Sequence, residues 1–307
     1  MKKILLASLC ALTLTACIDD DFDLFDVDFG QVGIGGETSD FRMPLANITV
    51  RMSALTSGER SLLDVFEEAD TWLPTVLPDG GDAVDLRLLT SDADSYRTAL
   101  VRATLDEAAA DASKLNGIAA LVERRYASAF DDMVPAGMSV AGFIAGNYAD
   151  AVYGPIIRSS VEGLADDYLA GLSASLDTVE CEIGRMDIDD DVFDMLTDGL
   201  GTPDEPHATN SLAIYGRVES LIPVDCRSEV SFVGTDVVLA LDARYGQTTE
   251  IAEASLFAPA LRTIFDNARL SVPVELERYY KGCAFPGEGQ AALTVRLSLH
   301  KHGGMSL

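Results

Sequence analysis

Apolar and polar residues alternate at two different periods along the first part of this chain. Over residues 46–54 every second position is apolar, which is the period of a half-buried strand. Over residues 62–73 the apolar positions fall on one helical face, and Pro74 stands where such a helix must end. Thr56 and Glu59 have the spacing of a capping box and predict the start of this helix.

The helical period dominates residues 91–177. Apolar residues recur at three and four positions over residues 93–133, which predicts one long helix or two collinear helices, with Gly117 as the candidate break. Further apolar stripes predict helices over residues 140–152 and from Pro155 to about residue 172.

Strand patterns appear briefly at residues 84–88 and take over after about residue 178. The elements predicted in this second half are strands at 212–219 and 237–243, a short helix at 259–268, and a long closing hairpin of strands 272–276 and 293–299. Helices in the first half and strands in the second favour an α+β fold, in which a helix-rich N-terminal half packs with antiparallel strands of the C-terminal half.

The expected domain is therefore a single α+β unit over residues 41–307. Its helical part covers about 91–177 and its strand-rich part about 178–303. Residues 17–40 form an acidic, glycine-containing tether ahead of it.

The first residues have the order of an export signal. Lys2 and Lys3 precede an apolar run over residues 4–14, which is too short to span a bilayer as a helix, since that needs roughly 20 residues. Residues 1–16 are therefore predicted to be a cleaved signal peptide. Leu14-Thr15-Ala16-Cys17 follows and resembles the lipobox of bacterial lipoproteins. The alternative is an ordinary secretory signal with a chance cysteine near its cut site.

The lipobox resemblance implies a location and a membrane partner. In that family lipid is attached to the cysteine, here Cys17, and the chain is cut just before it. Several acyl chains anchor a protein stably where one would not. Ile18 stands where an aspartate would resemble an inner-membrane retention signal, so the resemblance favours an outer-membrane lipoprotein that faces the periplasm or the cell surface.

The charge balance excludes one class of partner. The chain has 50 acidic and 22 basic residues and a net charge of −28. Nucleic acid binding needs clustered lysine and arginine to neutralise phosphates, so nucleic acid is not an expected partner. An anionic membrane surface would also repel this protein, and lipid must supply any membrane affinity.

Three cysteines remain after the lipidation site. In an exported protein we expect one disulfide pair among Cys181, Cys226 and Cys283, with one free thiol, and the sequence leaves all three pairings open. A catalytic cysteine would need a positioned base, and no histidine is near any of the three in sequence.

The densest acidic segment outside the tether offers calcium candidates. Asp187, Asp189 and Asp191 alternate as in a calcium loop, but Val192 stands where an EF-hand needs glycine, so the motif fails and an acidic turn is the competing interpretation. The chain has three histidines, His207, His300 and His302. The last two share one face of the final strand, where both could reach a metal, although two ligands do not make a site.

No nucleophile elbow, phosphate loop, dinucleotide fingerprint or zinc-protease helix is present, so the catalytic residues are unknown and no cofactor is expected. The leading hypothesis is a lipid-anchored envelope protein with a non-enzymatic binding or structural role. Two alternatives stay open: a carrier of an apolar or lipid ligand, and an envelope hydrolase with dispersed carboxylates.

Overall fold

The computed structural model describes residues 17–18, 40–57, 60–90, 94–172, 178–184, 186, 188–206, 210–287 and 289–303. Within these ranges the chain forms α-helices and antiparallel sheets, which confirms the predicted α+β class.

The helices α1–α8 span, in order, Leu62–Trp72, Leu86–Thr90, Asp94–Ala110, Ala112–Arg125, Val140–Asn147, Tyr153–Leu172, Asp190–Thr197 and Ala258–Asn267. The strands β1–β13 span, in order, Cys17–Ile18, Asp40–Arg51, Thr56–Ser57, Arg60–Ser61, Val84–Asp85, Val179–Gly184, Ser211–Ser220, Val224–Phe232, Val238–Ala243, Thr248–Leu256, Ala268–Val272, Glu275–Tyr279 and Ala291–His302.

Most strands lie in two antiparallel sheets. The first sheet has the order β1-β2-β13-β7-β10, and the second has the order β5-β12-β8-β11-β6, with β9 also paired to β8. The strand β2 belongs to the first sheet although it precedes the helices in sequence, because it pairs with β13 along its whole length. The two ends of the described domain therefore meet in the middle of one sheet.

Apolar side chains of the first and second sheets face each other, and helices α1 and α2 pack against β12 of the second sheet. Phe66 of α1 contacts Tyr279 of β12, with 4.3 Å between the ring centroids. The buried apolar residues of the helices and of both sheets form one continuous cluster.

Helix α1 begins later than the capping-box spacing indicates. Ser61 is the N-cap, and its side chain accepts a hydrogen bond from the backbone N–H of Asp64. Thr56 lies in the short strand β3 instead. The prediction was wrong about the cap because Ser61 and Asp64 also have the residue types and spacing of a helix start. They stand immediately before the apolar residues of the helix, whereas Thr56 lies five residues earlier.

The break in the long helical segment is at Asp111 and not at Gly117. The Asp111 side chain accepts from the backbone N–H of Ser113 and caps α4, whereas Gly117 lies inside α4. Asp is one of the preferred N-cap residues, so a new helix starts readily at Asp111. A glycine inside a helix costs only about 1 kcal/mol, which is too little to end the helix at Gly117.

Two strand predictions were also wrong. Only Val84–Asp85 of residues 84–88 is a strand, and the rest forms α2. The predicted closing hairpin does not exist, because β12 lies in the second sheet and β13 in the first. Strand β12 pairs with β5 and β8, whereas β13 pairs with β2 and β7.

Candidate functional site

An apolar cleft lies between the two sheets. Its volume is about 110 Å³. The aliphatic residues that line it come from both sheets and are Ile48, Val50, Val230, Leu239, Leu241, Ile251, Leu270, Val272, Val274, Leu293, Val295 and Leu297. An apolar cavity of about 150 Å³ stays dry and can bind a benzene-sized ligand, so this cleft is close to the size of a small apolar group.

One side of the cleft is less closed than the other. Val50, Val272, Leu293 and Val295 are only half-buried, whereas Leu239 and the other lining residues of β9 are buried. The period-two pattern of these strands makes both inner faces apolar, and the incomplete burial at this side leaves a mouth through which a ligand could enter.

Two polar side chains point into this apolar lining from β8. Ser228 is buried, and its Oγ atom has no hydrogen-bond partner among the described residues. Burial, reinforced by nearby Asp225, raises the pKa of the Cys226 thiol to about 12, so this thiol is protonated at neutral pH and is not a nucleophile. Ser228 is thus a free polar group in an apolar cleft, which is a common feature of ligand sites.

His300 is held between two carboxylates on the outer face of the first sheet. Its Nδ1 atom lies 2.8 Å from Glu253 Oε1, and its Nε2 atom is hydrogen-bonded to Asp40. Burial opposes the charged ring, but the hydrogen bonds to Asp40 and Glu253 raise the pKa of His300 above its ordinary value. His302 Nδ1 lies 3.6 Å from the same Asp40 carboxylate, so the predicted shared face of the two histidines is present.

A buried ion-pair network occupies the end of the second sheet. Arg244 Nη1 lies 2.8 Å from Glu277 Oε2 and 3.3 Å from Asp225 Oδ2, and Arg244 Nη2 donates to Asp242 at 2.8 Å. Among the described side chains of this sheet, Asp225 and Glu277 are the buried acids, and both are engaged by the guanidinium. This network therefore offers no free carboxylate pair for the hydrolase alternative.

The structure describes two of the three predicted calcium residues, Asp189 and Asp191. Asp189 is the N-cap of α7 and accepts from the backbone N–H of Asp191, which lies in the first turn, and Asp187 lies outside the described residues. Among the described residues, no three His, Cys, Asp or Glu side chains are arranged to hold a metal ion. His207 also lies outside the described residues.

The structure describes the cysteines only in part. Cys226 and Cys283 are free thiols, and the side chain of Cys181 in β6 lies outside the described residues, so the disulfide stays a prediction. The backbone of Cys17 pairs with Thr49 at the edge of the first sheet. Of the residues now found at the candidate sites, Asp40, Glu253 and Ser228 carried no signal in the sequence, because each is brought into place by strand register.

Comparison of the chain with known protein families, curated proteins and solved structures gave no match. Among the described helices, none combines the length and the apolar character needed to cross a bilayer.

Proposed function

We propose that this protein binds a small apolar ligand between its two sheets, while lipid on Cys17 holds it to a membrane of the cell envelope. The cleft of about 110 Å³ is the observation that supports ligand binding. Aliphatic side chains of both sheets would gain contacts with an apolar group of this size, and Ser228 would hydrogen-bond a polar atom on it. The size favours a ring or a short alkyl chain over a whole lipid tail.

The ligand proposal is tested by NMR of methyl-labelled protein titrated with hexanol. We expect shifts confined to the valine, leucine and isoleucine methyl groups that line the cleft. The variant Val295→Phe places a larger side chain at the half-buried mouth and should weaken hexanol binding at least tenfold, about 1.4 kcal/mol.

The matched control is Ala109→Leu, which enlarges an exposed residue of α3 far from the cleft and should leave hexanol binding unchanged. Shifts scattered over the whole protein, or equal binding by Val295→Phe and wild type, would refute the ligand proposal.

The membrane proposal is supported by the charged start, the short apolar run and the sequence Leu14-Thr15-Ala16-Cys17. The variant Cys17→Ala should lose the mass of the lipid and move from the membrane fraction to the soluble fraction or remain uncleaved, because the sulfur atom that carries the lipid is gone. Cys10→Ala is the control and should behave as wild type. Mass spectrometry of the fractionated proteins measures both results, and a wild-type protein whose mass shows no lipid would contradict lipid anchoring.

A further inference from the structure

The outer face of the first sheet carries a row of polar residues that crosses four strands. Register places Asn47 of β2 opposite Arg296 of β13, Arg296 opposite Arg217 of β7, and Arg217 opposite Glu250 of β10. Neighbouring strands are about 4.8 Å apart, so the row is about 14 Å long. Its order is an acceptor, two cations and a second acceptor.

The two arginines at the centre of the row are unusual neighbours. Like charges directly opposite each other on paired strands are destabilising. Both side chains are exposed, and among the residues that the structure describes neither guanidinium forms an ion pair. In a chain with a net charge of −28, two facing arginines that form no ion pair with a described residue, not even with the neighbouring Glu250, indicate a site for an anion.

A groove of about 400 Å³ runs along this row. Tyr215 and Ser298 also line it, and the Arg42 guanidinium lies over the Tyr215 ring, 5.8 Å from the centroid. The Oδ1 atom of Asn47 is buried at the groove and has no hydrogen-bond partner in the described part of the protein. A buried acceptor of this kind calls for a donor from outside, such as a ligand hydroxyl.

We propose that this groove binds an acidic saccharide. A carboxylate of the saccharide lies between Arg217 and Arg296, where two guanidinium groups can each donate paired hydrogen bonds to it. Sugar hydroxyls on either side donate to Asn47 Oδ1 and to the Glu250 carboxylate. The site lies on the face of the first sheet opposite the apolar cleft, and its occupant is independent of the ligand proposed there.

Isothermal titration calorimetry with trigalacturonic acid tests the proposal on the full protein. We expect trigalacturonic acid to bind and maltotriose, a neutral trisaccharide of similar size, not to bind. The variants Arg217→Gln and Arg296→Gln should each weaken binding at least about tenfold, because each removes charge-assisted hydrogen bonds. Arg102→Gln changes an exposed arginine of α3 and should leave the affinity unchanged.

Thermal melting of the two arginine variants without ligand distinguishes a loss of binding from a loss of folded structure. Removing one of two facing arginines relieves their repulsion, so the unliganded variants Arg217→Gln and Arg296→Gln should melt at or above the wild-type temperature. No binding of trigalacturonic acid at millimolar concentration would overturn the proposal. Equal binding of maltotriose or of inorganic phosphate would also overturn it, since maltotriose has no anionic group and phosphate has no sugar.

Discussion

His300 illustrates what a single residue can do when strand register surrounds it with acids. A neutral imidazole has one N–H, whereas both of its ring nitrogens here lie next to carboxylates, Asp40 and Glu253. The charged ring donates one hydrogen bond to each carboxylate, and these bonds link β13 to β2 and to β10. The hydrogen bond to His300 also lowers the pKa of Asp40.

The stability that His300 contributes depends on pH with a definite sign. Its pKa is raised on folding, so its contribution is complete below the unfolded value of about 6.5 and is lost as the pH rises through the higher folded value. Asp40 has a lowered pKa, and its contribution is lost as the pH falls below about 3.8. The interaction is therefore strongest between these two limits.

An NMR titration of the His300 ring should give a midpoint above 6.5. Asp40→Asn and Glu253→Gln each remove one charged acceptor and should lower that midpoint. His302→Gln serves to assign the resonance. A His300 midpoint at or below 6.5 in wild type would show that the two carboxylates do not hold the ring in its charged form.

At the scale of elements, one buried acid connects helix α1 to its neighbours. Glu68 is 4% exposed and accepts a hydrogen bond from Arg60 of β4 at 2.7 Å and from the hydroxyl of Tyr126, at the end of α4, at 2.5 Å. Burial and the bond to Glu68 raise the pKa of Tyr126, so the phenol stays protonated as the donor. Three elements thus meet at one carboxylate.

Glu68→Ala should lower the free energy of unfolding by about 2 kcal/mol, because it leaves Arg60 and Tyr126 without their acceptor in a buried setting. Arg60 is partly exposed and can be rehydrated, which keeps the loss below that of a fully buried pair. Urea denaturation measures the change. Glu67→Ala, the exposed neighbour on the same helix, is the matched control and should change stability by less than about 0.5 kcal/mol. Equal effects of the two variants would contradict this role of Glu68.

Sequence predicted most of the described helices but missed several strands and most of the strand pairings. The helix at residues 258–267 and the strands at residues 211–220 and 238–243 are near their predicted places, because clean periodicity identifies one apolar face. Strand pairing was missed where it depends on neighbours far away in the chain. The closing hairpin failed for this reason, since adjacency in sequence favours β12 and β13 as partners, whereas backbone pairing places them in different sheets.

At the scale of the whole molecule, net charge opposes compactness. With a net charge of −28, the folded chain concentrates its charges into a smaller volume than the unfolded chain does. Added salt shortens the screening length from about 30 Å at 0.01 M to about 10 Å at 0.1 M. Screening should therefore stabilise the folded state more than the unfolded one.

Calorimetry in increasing sodium chloride should show a melting temperature that rises by a few degrees between about 0.01 and 0.3 M, which corresponds to about 1 kcal/mol for a domain of this size. Potassium chloride should give the same rise, because screening does not depend on the cation. A flat or falling melting temperature over this range would show that self-repulsion does not limit stability.

The sequence by itself determined the α+β class, the acidic surface and the positions of most helices, because these depend on local periodicity and composition. It also predicts the lipid on Cys17 from a signal of adjacent residues. Only the tertiary structure decided which strands are neighbours, and with them the apolar cleft, the carboxylates around His300 and the facing arginines 217 and 296. Each of these sites joins residues from strands that are distant in the chain, and period-two patterns specify which face a residue takes but not which strand lies beside it.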